Sequence, residues 1–399
     1  MNPNFPFYLD DKIMFKKSLI AVAVLGATAF SVQAADVTMY GKVDTGLRYQ
    51  TNEITTGVEA LNTDEDTFSM ENGLNSASRF GVKGTEDLGN GLKVGFQLEN
   101  GFKSDSGEFK TGGKLFDRQA TVSLYSDFGT LTMGRMGGVG SSAGTYDLVF
   151  ATADAFDGGS ASILGLAKSD RYDNMITYQT PKFAGVQATV QYSFNENSAD
   201  DDREGSSAVN RYASAALTGS FGALNTVLAY EFQNYESFDA TAHEDGHTVY
   251  LGGNYDCGFA KTFMMAQYFK GLKTGNINAL GMLDKINLND EVTAADVANV
   301  LYDKGTKGYG LHLGTIVPIS NGDLTVGAYY VDGKGETSVA GEEDVDFDYI
   351  GLATKYEYRL SKRTSVYLGA GYHKAKLEDS DGEIEQKVGE VFTGLTHAF

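Results

Sequence analysis

Tryptophan is absent from this sequence, and its 399 residues include only one cysteine, Cys257, and four prolines. A single cysteine excludes an intrachain disulfide framework. The scarcity of proline and the lack of any Ser/Pro-rich or charged spacer give no sign of a linker, although the length alone would favour more than one domain. The five histidines are scattered, and His243 and His247 lie in a predicted loop rather than on a helix. We therefore predict no metal site and no cofactor.

Positive charge is also scarce, because 32 lysines and arginines face 53 aspartates and glutamates, for a formal net charge of −21. Such a chain repels the phosphate backbone of nucleic acids, and no basic patch interleaved with aromatic residues is visible. Enzyme signals are poor: Gly138–Gly144 approaches a dinucleotide-binding fingerprint, but the spacing is wrong and no βαβ unit follows. We predict neither nucleic-acid binding nor catalysis.

Glycine (49), phenylalanine (24) and tyrosine (23) are abundant, and this composition is typical of many strands joined by tight turns. Residues 37–49 alternate between apolar side chains and polar ones such as Lys42, over a length that crosses a bilayer at a tilt. A hairpin follows, in which Asp87–Gly91, with its Asn-Gly pair, joins residues 78–86 to residues 92–99.

The rhythm of long polar loop, strand, tiny turn and strand then continues to the C-terminus. Further strands are predicted near residues 115–126, 130–136, 170–180, 185–195, 210–220, 224–235, 246–256, 260–271, 307–317, 323–332, 347–358, 364–375 and 387–399. An even strand count, with short turns on one side and long loops on the other, is the pattern of outer-membrane barrels. We predict an all-β fold, a 16-stranded antiparallel transmembrane β-barrel. The alternative, a soluble sandwich, rarely needs so many strands of this length.

Three stretches depart from this rhythm. The loop of residues 137–169 is long, and it carries enough apolar side chains to pack, so we expect it to fold into the barrel mouth and narrow it. Arg118 falls on the apolar face of its predicted strand, which indicates either a bulge or a wall buried against a neighbouring subunit. Thr293–Asp296 resembles a capping box and predicts a short helix within an external loop.

The N-terminus has the features of a secretory signal peptide at residues 14–34. Two lysines precede an apolar run, residues 18–30, that is too short to span a bilayer as a helix, and small residues follow before the predicted cleavage after residue 34. The alternative is a short buried helix. Residues 1–13 precede a signal that already has its own methionine, so we interpret them as an extension upstream of the true start. Residues 35–399 then form a single barrel domain in the outer membrane.

Segments spread over nearly the whole mature chain carry a resemblance to a known family. They are Val37–Asp44, Ser78–Lys93, Arg118–Leu124, Phe128–Arg135, Tyr358–Thr364 and Gly394–Phe399. They resemble the general diffusion porins of Gram-negative bacteria, in particular the β-proteobacterial and neisserial branch. The resemblance implies a homotrimer of 16-stranded barrels, each with its own pore narrowed by an inward-folded third external loop. It also implies that the terminal Phe399 is read by the outer-membrane assembly machinery.

In that family, acidic residues of the third loop face a basic ladder on the wall. The resemblance of the segments Ser-Arg-Phe-Gly, Arg-Gln-Ala and Arg-Tyr-Asp-Asn assigns Arg79, Arg118 and Arg171 to the ladder, and alternation alone adds Lys42 and Lys83. The acidic side of the constriction is predicted to comprise Asp147, Asp154 and Asp157. The alternative for each of these residues is a solvated charge without influence on transport.

The predicted function is therefore an outer-membrane porin for passive diffusion of small hydrophilic solutes and ions. The alternatives are a substrate-selective channel of the same fold and a structural or adhesive surface barrel with a plugged lumen. The acidic composition leans towards cations, although a locally basic constriction would act against this. Acidic loop clusters such as Asp200–Asp202 are candidates for divalent cations that bridge to lipopolysaccharide, and the alternative is a solvated loop.

Overall fold

The computed structural model describes residues 36–56, 62–157, 163–196, 204–206, 209–235, 244–273, 276–281, 304–336, 344–378 and 382–399. Most of these residues belong to one antiparallel sheet of 17 strands. The strands are β1 (Thr38–Thr56), β2 (Thr63–Asn72), β3 (Arg79–Gly89), β4 (Leu92–Gly101), β5 (Gln119–Ser126), β6 (Gly129–Gly137), β7 (Arg171–Gln179), β8 (Val186–Ser193), β9 (Arg211–Phe221), β10 (Leu224–Asn234), β11 (Gly246–Asp256), β12 (Lys261–Leu272), β13 (Gly305–Ile319), β14 (Gly322–Glu336), β15 (Val345–Arg359), β16 (Thr364–Glu378) and β17 (Glu383–Ala398). A short helix, α1 (Phe150–Ala153), lies between β6 and β7. No helix in these ranges has the length and apolar character needed to cross a membrane.

The sheet closes on itself because β17 pairs with β1. At the seam, the backbone groups of Gly41 and Phe399 exchange two hydrogen bonds, each of 3.1 Å. With this closure, every strand except β2 pairs with a neighbour on both sides in the described part of the chain, and β2 pairs with β1. In lipid, where no water is available to bond a free edge, that is the condition for a sheet to span the membrane.

Strands β2 and β3 share one position in the wall, since β1 pairs with β2 over Thr45–Ile54 and with β3 over Thr38–Lys42. The break between them begins at Gly73, whose φ of +73° is a conformation that glycine adopts without strain. Counted around the barrel, the wall therefore has 16 positions, and the predicted fold class is confirmed.

The two faces of the wall differ in polarity. On β8, Val186 and Val190 point outward and are 39% and 49% exposed, whereas Thr189, Gln191 and Ser193 are buried on the lumen side. Apolar side chains face outward because lipid surrounds the barrel, and polar ones face the lumen.

Arg118 departs from the alternation of its predicted strand for a local reason. The prediction that this strand begins near residue 115 was wrong. Strand β5 begins only at Gln119, so Arg118 is not bound by its alternation. Just before it, the carboxylate of Asp117 accepts hydrogen bonds from the Gly101 backbone N–H (2.7 Å) and from the Thr111 hydroxyl (3.0 Å). The helix predicted at Thr293–Asp296 and the signal segment lie outside the described residues.

Candidate functional site

The segment between β6 and β7 turns inward and packs against one half of the lumen wall. Its apolar side chains Phe150, Phe156, Ile163 and Leu166 are buried. They belong to one cluster with inward-facing side chains of strands β10 to β16, among them Val227, Tyr250, Phe263, Met265, Phe269, Tyr329, Val331, Phe347 and Tyr349. The segment therefore occupies this half of the lumen and leaves the other half open.

The open half contains a cavity of about 880 Å³, bounded by the inward segment on one side and by the wall around β1, β3 and β4 on the other. Its lining includes seven basic side chains, Lys42, Arg79, Lys83, Lys110, Arg118, Lys168 and Arg171. It includes three carboxylates, Glu99, Asp147 and Asp157. The cavity is thus locally basic within a chain whose net charge is −21.

All five basic residues that the sequence singled out line this cavity. They are Lys42 on β1, Arg79 and Lys83 on β3, Arg118 just before β5 and Arg171 at the start of β7. Two of them share a neighbour in Glu99 of β4, whose carboxylate lies 2.6 Å from Nε of Arg118 and 3.9 Å from Nε of Arg79. Glu99 also accepts a hydrogen bond from the Tyr40 hydroxyl at 2.9 Å. One wall carboxylate therefore orients two of the arginines.

The remaining basic groups are held less tightly. Lys42 donates a hydrogen bond to the Ser76 hydroxyl at 3.1 Å, and Nζ of Lys83 lies 5.2 Å from the centre of the Tyr40 ring. The Nε atom of Arg171 is buried and has no hydrogen-bond partner among the described residues. The partners of Lys42 and Lys83 are thus a hydroxyl and an aromatic ring rather than a carboxylate.

Asp147 and Asp157 line the cavity from the side of the inward segment. Burial, followed by the neighbouring Asp157, raises the pKa of Asp147 well above its usual value. Burial also raises the pKa of Asp157, an effect that a hydrogen bond with Asp147 and the nearby Arg79 oppose. Two carboxylates so close together favour sharing one proton over carrying two full charges. Together, Asp147 and Asp157 therefore contribute less than two full negative charges to the cavity.

Asp154 was predicted beside these two, and the structure places it elsewhere. It is 2% exposed, and its Oδ1 accepts hydrogen bonds from the Tyr329 hydroxyl (2.9 Å) and from the Phe156 backbone N–H (3.0 Å). Nε2 of His312 lies 3.2 Å from the same oxygen. Because α1 turns this part of the chain towards β13 and β14, Asp154 anchors the inward segment to the wall instead of lining the cavity.

Two basic residues and one acidic residue of the lining were not among the predicted site residues. Glu99 follows the alternation of β4, so its inward orientation could have been found. Lys110 and Lys168 lie outside regular strands, where no period indicates the direction of a side chain. Burial lowers the pKa of Lys168.

A second external loop also reaches the lumen. Residues 276–281, called the strap below, pair with the outgoing part of the inward segment through an antiparallel bridge between Ala167 and Ile277. The backbone N–H groups of Lys168 and Ala279 donate to the carbonyls of Asn276 (3.0 Å) and Gly165 (2.9 Å). The strap is buried here, since Ile277 is only 2% exposed.

Residues 140–144 spell the Gly-x-Ser-x-Gly pattern of many hydrolases, and Ser142 has the positive φ of 51° that such a turn would require. Ser142 lines the cavity, but no histidine lies among the described residues that line it. A serine nucleophile needs a general base within hydrogen-bond reach, and the cavity supplies none of the usual kind.

A family model described as Gram-negative porin matches residues 21–377 of this chain. An outer membrane porin protein of Bordetella pertussis is 34% identical, over 96% of this chain and 100% of that protein. The major outer membrane protein P.IB of Neisseria gonorrhoeae is 29% identical, over 90% of this chain and 93% of that protein. Among solved structures, an anion-selective porin from Comamonas acidovorans aligns with a TM-score of 0.61 at 23% identity, covering 92% of this chain and 100% of that chain.

Proposed function

Since this chain belongs to the Gram-negative porin family, we propose that the 880 Å³ cavity is the constriction of its pore and that the constriction prefers anions. The chain is an outer-membrane β-barrel that serves passive diffusion of small hydrophilic solutes and ions. The observation that carries the anion preference is the lining of the cavity, where seven lysines and arginines face three carboxylates.

The local charge outweighs the net charge of −21, which leans the other way. Charges exposed to solvent are screened over about 8 Å at physiological ionic strength, whereas charges that line a narrow lumen act directly on a passing ion. The pairing of Asp147 with Asp157 reduces the negative charge further. The Comamonas protein of similar fold is an anion-selective porin, and this supports the same preference here.

Transport through such a constriction requires no covalent step, and we assign no catalytic residue. Basic groups on the wall oppose Asp147 and Asp157 on the inward segment, and the opposed charges create a field across the lumen. A polar solute can align its dipole with that field, whereas an apolar solute must displace ordered water from charged groups.

We further propose the partners that the family resemblance implies. The barrel would assemble as a homotrimer, and the outer-membrane assembly machinery would read the terminal Phe399, a residue that is 46% exposed. A contact of the external loops with lipopolysaccharide through divalent cations is proposed from their acidic clusters and not from the resemblance, and its alternative is a solvated loop. Channels that enter a planar bilayer in steps of three would support the trimer.

For the N-terminus we propose that residues 14–34 form a cleaved signal and that residues 1–13 are not translated. N-terminal sequencing of the mature protein and of its precursor tests both parts. A mature chain beginning at Ala35 and a precursor beginning at Met14 are expected, and a precursor that begins at Met1 contradicts the second part.

The anion preference is tested by the zero-current potential of the purified protein in a planar bilayer under a salt gradient. If anions pass more readily, the dilute side becomes negative. The double variant Arg79→Ala/Arg171→Ala should move the permeability ratio towards cations by roughly fivefold, the effect of about 1 kcal/mol in electrostatic energy.

The matched control is Lys362→Ala, which removes a positive charge from an exposed turn remote from the cavity lining and should leave the ratio unchanged. A cation preference in the wild-type protein would refute the proposal. Block of the current by one solute class alone would favour the substrate-selective channel. Absence of conductance from folded protein would favour a plugged surface barrel.

A further inference from the structure

Glu231 on β10 is a buried carboxylate within the barrel that the transport path does not explain. It is 2% exposed. Its Oε1 accepts hydrogen bonds from the Gly140 backbone N–H (2.8 Å), the Ser169 hydroxyl (2.8 Å) and the Tyr212 hydroxyl (2.5 Å). Its Oε2 accepts one from the Tyr250 hydroxyl at 3.0 Å. Four donors thus converge on one side chain.

The four donors come from two parts of the molecule. Tyr212 and Tyr250 belong to the neighbouring wall strands β9 and β11. Gly140 and Ser169 belong to the two ends of the inward segment, close to where it leaves β6 and rejoins β7. Glu231 therefore connects three adjacent strands to both limbs of the segment at its base.

The two limbs are also joined to each other at this point. The backbone N–H of Ser169 donates to the carbonyl of Gly140 at 3.0 Å. The Tyr212 hydroxyl, already bonded to Glu231, accepts from the backbone N–H of Val139 at 3.2 Å. Loss of the Glu231 carboxylate would therefore remove one wall attachment from each limb at the same time.

No ion pair of Glu231 is found among the described residues, so its interactions are the hydrogen bonds themselves. A buried carboxylate is tolerated only when its oxygens are satisfied, and hydrogen bonds to a charged acceptor are about twice as strong as neutral ones. Removing the carboxylate would leave four donors without their acceptor, two of them on the segment that borders the cavity.

We propose that Glu231 is the positioning residue of the constriction. It fixes the base of the inward segment against the wall, while Asp154 holds the region of α1 through Tyr329 and His312. The width and the steadiness of the open channel depend on it, although it does not line the cavity. This inference rests on the proposed function only in that the segment borders the conducting path.

The test compares single-channel recordings of three variants in planar bilayers. Glu231→Ala removes all four acceptor contacts, and Ser169→Ala removes one bond to the segment. Gln179→Ala removes a bond between two wall strands that does not involve Glu231, the one from Gln179 of β7 to the Thr189 hydroxyl of β8 at 3.0 Å. Glu231→Ala and Ser169→Ala are expected to increase open-channel current noise and to raise the ratio of closed to open dwell times, by roughly tenfold for Glu231→Ala. Gln179→Ala is the matched control and should behave as the wild-type channel.

Folding of each variant is checked by the heat-dependent shift of the barrel in electrophoresis. If Glu231→Ala does not fold, Ser169→Ala carries the test alone. Wild-type noise and dwell times in folded Glu231→Ala or Ser169→Ala would overturn the proposal. Equal changes in Gln179→Ala would overturn it too, because they would assign the effect to the loss of any hydrogen bond within the wall. A zero-current potential of the wild-type protein that makes the dilute side positive would refute the anion preference. It would leave the inference about Glu231 unaffected.

Discussion

At the scale of single residues, the charge of the cavity depends on the partner that each of its carboxylates has. Glu99 accepts bonds from Arg118 and from Tyr40. It therefore offsets part of the positive charge of the wall and orients the Arg118 side chain. Asp147 and Asp157 interact mainly with each other. A change of one proton on this pair is therefore a change in the net charge that a passing ion meets.

This pair makes selectivity depend on pH. Because the pKa of Asp147 is raised, its carboxyl becomes neutral at a pH above the ordinary aspartate value of about 4. As the pH falls the cavity becomes more positive, so anion preference should rise between about pH 7 and about pH 4. The zero-current potential over a pH series measures this, and Asp147→Asn/Asp157→Asn should flatten the curve. Asp87→Asn, at the exposed end of β3, is the control, and a pH response unchanged in the double variant would contradict the assignment.

At the scale of elements, the lumen consists of two unlike halves. Strand β12 shows how the second half arises, since Phe263, Met265 and Phe269 point inward and are buried while Met264 and Tyr268 point outward and are exposed. Both faces of such a strand are apolar, because one meets lipid and the other meets the inward segment. The constriction is thus held in place by a hydrophobic core inside a water-filled barrel.

Truncation of this core should loosen the inward segment. Phe150 is fully buried against Tyr250, with ring centroids 6.4 Å apart. Replacing a buried Phe by Ala costs about 3–5 kcal/mol, so Phe150→Ala should destabilise the segment and increase the variability of single-channel conductance. Phe183→Ala deletes the same atoms from a side chain that is 84% exposed. Equal conductance distributions in the two variants would show that the core does not hold the segment.

The sequence predicted the strands well because alternation is a local property, and it predicted Lys42 and Lys83 on the lumen side for the same reason. It could not assign Asp154, because an aspartate in an irregular segment has no period, and its burial depends on Tyr329 and His312, more than 150 positions away. The apolar inner face of β12 was equally inaccessible. An apolar side chain on the lumen face can be explained only when the segment that covers it is known.

At the scale of the whole molecule, the barrel is a closed ring whose first and last strands must meet. The ladder between β1 and β17 runs from Lys42 paired with Ala398 to Thr56 paired with Ile384. Beyond it, the ring of Phe399 lies over Gly41. Barrel formation therefore depends on pairing the first strand with the last.

A side chain at Gly41 should obstruct this seam. A Cβ there would lie 2.3 Å from Cζ of Phe399 and 2.8 Å from the Arg79 carbonyl oxygen, closer than atoms can approach. Gly41→Val is expected to lower the yield of folded barrel in outer-membrane fractions, as measured by heat-modifiable electrophoresis. Gly112→Val is the control, because nothing lies within 4 Å of the Cβ position there. Equal yields would mean that the seam tolerates a shift of the Phe399 ring.

The strap of residues 276–281 has a consequence for how the outside of this molecule relates to its inside. It is part of an external loop, yet its backbone pairs with the segment that narrows the pore. Two regions joined in this way are thermodynamically linked. Consider a molecule that binds the outer surface more tightly when the strap is paired with the segment. Its binding would stabilise the constriction by the difference between the two binding free energies. A change that stabilises the constriction would in turn strengthen binding at the outer surface by the same free energy. The external loop and the constriction therefore form one hydrogen-bonded unit, through which binding outside the cell and diffusion through the pore are coupled.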